Sequence, residues 1–288
     1  MQIRLGYELV YVCPQPTPMI LALKIHPSRA SDIVVPDELR TDPCVPVSHD
    51  LDAFGNWVSR FVAPPGEFRI YNDALVEDSG LSDLVVPGAA QTPVEALPPD
   101  ALLYLAGSRY CETDLLSPVA WQLFGQTPAG WERVQAIVDF VHNHIQFGYP
   151  FARSTKTAWQ VYEERAGVCR DFAHLAIALC RSMNVPARYC TGYLGDIGVP
   201  VSDAPMDFSG WFEAFLDGRW YSFDARHNMP RVGRIVIARG RDAADVAIST
   251  AFGPTFLKSF RVWTEEVVRR PSTLPPTAWR TDALSPSP

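Results

Sequence analysis

A chain of 288 residues with 47% hydrophobic, 11% aromatic and 20% charged residues has the composition of a folded globular protein, which excludes bulk disorder. Its length leaves room for one large domain or two modest ones. Thirty-two acidic against 25 basic residues give a formal charge of −7, which offers no general attraction to phosphate backbones or anionic lipid and argues against nucleic acid and membrane as partners.

The opening stretch, MQIRLGYELVYVCPQPTP, lacks a charged segment followed by an unbroken apolar run and a small-residue cleavage site, so it does not read as a signal peptide. Residues 3–12, 19–25, 57–62 and 67–74 are short β-branched or aromatic runs punctuated by Pro and Gly, and they predict an all-β unit over residues 1–99. Within it, the Pro-rich stretch 86–98 (VPGAAQTPVEALP) reads as a connection to the next unit. Residues 131–145 place Val134, Ile137, Val138, Val141 and Ile145 at three- and four-residue spacing, which predicts an amphipathic helix. A second helix is expected over residues 169–183, with Phe172, Ala173, Ala176, Leu179 and Cys180 on its apolar face and Pro186 beyond its end. Strands follow at 187–194, 210–216 and 219–224, the last two joined by Asp217-Gly218, a strong hairpin signal. Residues 234–238 continue the β pattern. We therefore divide the chain into a β unit (1–99), a mixed unit (100–268) and a Pro- and Ser-rich tail (269–288) expected to be disordered or draped over the surface.

The longest apolar runs, such as residues 173–180, fall far short of the roughly 20 residues that span a bilayer. Six cysteines without a CxxC pair are too sparse for a secreted disulfide scaffold, so reduced thiols and a cytoplasmic location are expected. His142 and His144, two apart on a predicted helix, diverge by about 160° and read as helix-surface residues rather than zinc ligands. No metal site is expected.

The informative passage is residues 166–175, AGVCRDFAHL. Gly167 permits a tight turn that delivers Cys169 to the first turn of a helix, where free N–H groups and the positive dipole end stabilise a thiolate. Arg170 and Asp171 read as an ion pair that fixes the helix start. His174 lies about 140° round the helix from Cys169 and should point away from it, as a core histidine. Cys180 and Cys190 fit buried, inert thiols, and Trp159 a packed aromatic.

The run GVCRDFAHLAIALCRSMNVPARYCTGYL, with Trp211, Glu213 and Phe215 in GWFEAFLDGRWYSFDARHN, resembles the core of the bacterial transglutaminase-like superfamily, relatives of papain-type cysteine proteases. Asp52, Phe54, Gly55 and Asn56 resemble part of the family's N-terminal β-domain. Gly240, Arg241, Asp242, Asp245 and Val246 resemble the segment that closes its catalytic domain. The resemblance implies an α+β fold: an N-terminal β-sandwich, then a papain-like domain whose catalytic helix packs on an antiparallel sheet. It also implies a Cys-His-Asp triad acting on amide bonds of a peptide or protein substrate through a thioester, by hydrolysis or acyl transfer, with no cofactor.

Cys169 and Asp224 match the nucleophile and the carboxylate. The family's histidine position holds Ser209, whose hydroxyl is no base near neutral pH. His227, three residues past Asp224, is the candidate replacement base; the other reading is an exposed histidine in a basic rim with Arg226 and Arg231. Asp224 has its own structural reading, as a strand-end carboxylate that caps the next turn through Asn228. Trp211 and Glu213 share a strand face with Ser209 and are expected to line the substrate cleft, although Trp211 equally suits core packing. The rival to an enzyme is a peptide-binding protein on the same fold, catalytically impaired by Ser209.

Overall fold

A computed structural model describes residues 1–202 and 205–267, and the expected 269–288 tail lies outside them. The first part of the chain is all strand: β1 (Gln2–Cys13), β2 (Thr17–Leu21), β3 (Ile33–Val35), β4 (Arg40–Asp42), β5 (Ser48–Leu51), β6 (Trp57–Ala63) and β7 (Gly66–Glu77). Next come α1 (Pro99–Leu102), α2 (Thr113–Phe124), α3 (Trp131–His144), β8 (Gln146–Phe147), α4 (Ala158–Glu164), β9 (Ala166–Gly167) and α5 (Cys169–Ser182). The last strands are β10 (Ala187–Leu194), β11 (Ser209–Leu216), β12 (Arg219–Phe223), β13 (Arg234–Gly240), β14 (Ser249–Ala251) and β15 (Phe256–Glu266).

On β7 the two-residue period buries Phe68, Ile70, Asn72, Ala74 and Val76, and on β6 it buries Ser59, Phe61 and Ala63. These faces belong to two sheets, β15-β1-β7-β3 with β4 also on β7, and β14-β2-β6-β5. They meet as a sandwich, with Phe61 and Phe68 at 5.4 Å across the interface. The loop at 52–56 has a local cause. Asp52 accepts the Phe54 and Asn56 backbone N–H groups, each at 2.8 Å, while Asn56 exchanges hydrogen bonds with the Arg239 backbone as a strand residue would.

Two strands correct the division drawn from sequence. Residues 249–266, assigned to the mixed unit, return to the sandwich: β15 pairs antiparallel with β1 from Ile3↔Glu266 to Val12↔Phe256, and β14 pairs with β2. β15 carries no clean alternation because it is an edge strand whose buried residues are only Val262 and Thr264. Nor is stretch 86–98 a free connection. The Ala89 carbonyl accepts the Trp131 N–H at 2.9 Å and the Ala90 carbonyl the Asp217 N–H at 2.9 Å. The buried core likewise runs unbroken from Leu5, Tyr7 and Phe68 into Leu175 and Leu179.

The second sheet system is antiparallel, in order β12-β11-β10-β13. Asp217 (φ 47°) and Gly218 (φ 77°) both take positive φ in the β11–β12 turn, as a tight hairpin of this kind requires. α5 lies across β10 and β11, flanked by α2, α3 and α4. It ends with Asn184 at φ 61° and the Val185 N–H on the Cys180 carbonyl at 2.9 Å, and Pro186 prevents its extension. This is the α+β arrangement expected, a sandwich followed by a helix on an antiparallel sheet.

Candidate active site

Cys169 opens α5. The local geometry explains Gly167, though not as a tight turn: its φ is not positive, and instead a Cβ there would come within 2.7 Å of both Cβ and Oδ2 of Asp171. That space is reserved for the Asp171 carboxylate, which accepts the Val168 N–H at 3.0 Å and so caps the helix. Arg170 pairs with the other oxygen at 3.1 Å, as expected. Cys169 itself is half-buried. Burial pushes its thiol above the ordinary value, opposed by a backbone hydrogen bond from Gly210 and by Arg226. Desolvation thus works against the contacts at the helix start that favour a thiolate.

His227 and Asp224 are brought together. Asp224 follows β12, and its Oδ2 meets His227 Nδ1 at 2.8 Å and Arg234 Nη2 at 2.9 Å. Its Oδ1 accepts the backbone N–H groups of Arg226 (3.0 Å) and His227 (3.1 Å). The capping reading also holds, since the Asp224 carbonyl accepts the Asn228 N–H at 2.8 Å. Burial alone would raise the Asp224 carboxyl, but Arg234 and His227 hold it well below the usual carboxylate range. With Nδ1 engaged by the carboxylate, the remaining imidazole nitrogen is Nε2. His227 lines a cavity of about 480 Å³ together with Cys169, Ser209, Tyr149 and Arg226.

α3 holds this turn from behind. Gln135 Nε2 reaches Asn228 Oδ1 at 3.0 Å, Asn228 Nδ2 reaches Asp139 at 2.9 Å, and His142 Nδ1 meets the Arg226 carbonyl at 3.0 Å. His142 is therefore a half-buried support rather than a free surface residue, and His144 likewise bonds the Tyr162 carbonyl at 2.7 Å. Gln135 and Asp139 escaped the sequence reading, as did the role of Arg234. Their signal was present, because 135, 139 and 142 form a polar stripe at four- and three-residue spacing on α3.

Ser209 lines the Cys169 cavity, but its carbonyl, accepting the Thr191 hydroxyl at 3.2 Å, makes the hydrogen bond there. Trp211 and Glu213 do not share that cavity, which corrects their expected place in the cleft. They line a separate space of about 240 Å³ with Arg234 and Arg239. Alternation along β11 is the reason: Phe212 packs in the main core with α5, while Trp211 packs apart from it with Cys190 and Val236. Glu213 is buried there between Arg188 (2.6 Å) and Arg239 (3.1 Å). His174 is fully buried, as expected; its Nε2 accepts the Ala243 N–H at 3.1 Å and its ring stacks on Tyr110 at 5.2 Å.

Comparisons with known proteins agree with this architecture. The Transglutaminase-like superfamily matches residues 120–225, which include Cys169, Ser209 and Asp224 and stop just short of His227. A solved structure from Cytophaga hutchinsonii, described as a "putative cysteine protease", is 30% identical with a TM-score of 0.80, the match covering 94% of this chain and 93% of that one. An uncharacterized protein of Mycobacterium leprae is 35% identical over 88 residues, and one of Mycobacterium tuberculosis H37Rv 36% identical over 96. These matches span 30% and 31% of those relatives' own length.

Proposed function

Because the chain belongs to the transglutaminase-like superfamily, we propose that it is a cysteine enzyme acting on amide bonds of peptides or proteins, with Cys169 as nucleophile, His227 as base and Asp224 as its orienting carboxylate. The observation that carries this reading is the Asp224–His227 pair at 2.8 Å on the wall of the cavity that also holds Cys169. It supplies from the far end of β12 the imidazole that Ser209 cannot.

In this mechanism the proton of Cys169 Sγ passes to His227 Nε2 as sulfur attacks the amide carbonyl carbon. General-base transfer at the moment of attack suits a thiol whose burial disfavours the thiolate. Backbone N–H groups at the start of α5 hold the oxyanion. His227 then gives its proton to the amide nitrogen, the C–N bond breaks and a thioester remains. Water, losing its proton to His227, attacks the thioester; the acid leaves and the thiol is restored. An amine in place of water gives acyl transfer, and we favour hydrolysis. Asp224, ionised under the influence of Arg234, keeps the ring in one tautomer throughout.

The test is alkylation of Cys169 by iodoacetamide as a function of pH, followed by peptide mass spectrometry, alongside amine release from peptide amides. Exposed Cys44 reports an accessible thiol in the same sample, while Cys13, Cys111, Cys180 and Cys190 are buried. The expected result is an alkylation profile that moves to higher pH in His227→Ala, and amide cleavage that disappears in Cys169→Ala. Identical profiles in parent and His227→Ala would overturn the assigned base. Absence of any cleavage would favour the rival, a peptide-binding protein impaired at Ser209.

A further inference from the structure

Cys169 lies where two cavities meet. The first, already described, has His227 in its wall. The second, of about 550 Å³, also contains Cys169 and Gly210, and its apolar lining comes from Leu9, Tyr11, Val246, Ile248, Leu257 and Phe260. Asp207 and Phe208 line both and form the divide. Edge strand β15 serves each side: Leu257 and Phe260 face the second cavity, and Thr264, Glu265 and Glu266 the first. From Leu257 to Thr264 a strand covers about 24 Å, the length of an extended heptapeptide.

Two independent features mark this path as a contact surface. Leu257 and Phe260 are 52% and 37% exposed, with Phe256 beside them at 65%, so apolar surface stands open next to the cysteine. At the other end, buried Thr264 forms part of the wall, and exposed Glu265 and Glu266 open onto the first cavity.

Direction follows from proton transfer. The imidazole that protonates the departing nitrogen stands on the leaving side, so the His227 cavity takes the amine half and the apolar cavity the acyl half. The His227 cavity is acidic on balance, with Asp196, Asp207, Glu265 and Glu266 against Arg226 and Arg231. Resting on the assignment of Cys169 and His227, we propose that the substrate is an extended peptide lying along β15. Its acyl half seats an aromatic or branched apolar side chain against Leu9, Tyr11, Leu257 and Phe260, and its leaving half is basic or neutral rather than acidic.

Binding to full-length Cys169→Ala, read by fluorescence anisotropy, tests this without turnover. Three labelled heptapeptides serve as probes, carrying Phe before and Lys after the fourth peptide bond, Phe and Glu, or Gly and Lys. The Phe/Lys peptide is expected to bind about tenfold tighter than either of the others. Adding Phe260→Ser should close the gap to Gly/Lys, and adding Glu265→Gln with Glu266→Gln the gap to Phe/Glu. Equal binding of the three peptides, or a preference untouched by these substitutions, overturns the proposal. The parent enzyme then separates the two readings. Cleavage after Phe supports both, indiscriminate cleavage overturns only the substrate class, and selective binding without cleavage overturns the catalytic reading while supporting the peptide class.

Discussion

Asp224 joins the stability of the fold to the candidate site, since one carboxylate oxygen caps the 224–227 turn and the other holds both Arg234 and His227. Arg234 is buried and also pairs with Asp83 at 2.8 Å. Asp224→Ala therefore leaves a buried guanidinium half-compensated, and the expected cost is about 3 kcal/mol in urea unfolding at pH 7. The pH dependence has a definite sign. A carboxyl whose folded pKa is depressed contributes fully above its unfolded value, near 3.9, and loses that contribution as pH falls toward the folded pKa. The stability gap between parent and variant should stay level from pH 7 to 5 and narrow below about pH 4. A gap that narrows already between pH 7 and 5 would show that the Asp224 carboxylate is not the source of the stabilisation.

At the helix start the decisive contact is a close approach. Gly167→Ala drives a methyl group into Asp171, whose carboxylate caps α5 through the Val168 N–H. Asp171 is fully buried and cannot give way cheaply, so a loss of about 1–3 kcal/mol is expected, with Cys169 alkylation altered because the first turn must shift. Calorimetry together with the labelling profile checks this; an unchanged profile with an unchanged melting temperature would show that Asp171 is free to move. The elements themselves were unevenly legible. α3, α5 and β10 to β12 lay within a residue or so of their expected bounds, marked by three- and four-residue apolar spacing on α3, by Pro186 just beyond α5 and by Asp217-Gly218 between β11 and β12. α4 carried a readable Thr157-x-x-Gln160 capping box that the sequence reading passed over. α2 was hidden by Pro118, whose lost hydrogen bond is outweighed by burial of Leu116, Ala120 and Phe124. In the site, Cys169 and Asp224 were visible through local motifs. The pairing of His227 with Asp224 was open until the turn was seen, and the misplacement of Trp211 and Glu213 came from taking one strand face to be the cleft face.

On the scale of the whole molecule, the chain closes on itself: β14 and β15 complete the sandwich that β1 began. β1 pairs on one side with β7 and on the other with β15, and its buried residues include Leu5, Tyr7 and Leu9. A chain ended after residue 248 would turn a 12-residue central strand into an exposed edge, a template for intermolecular pairing. It would also remove Leu257, Phe260 and Thr264 from the walls beside Cys169. The expected outcome is association on size-exclusion chromatography and loss of the cooperative thermal transition, with Cys169 no longer distinguished from Cys44 in alkylation. If residues 100–248 were self-sufficient, the shortened chain would instead keep a cooperative transition and the parental Cys169 profile. The unbroken core from Tyr7 to Leu175 argues for the first result, because Leu9, Tyr11, Leu257 and Phe260 of the sandwich also wall the cavity beside Cys169, so loss of β14 and β15 opens the core and that cavity together.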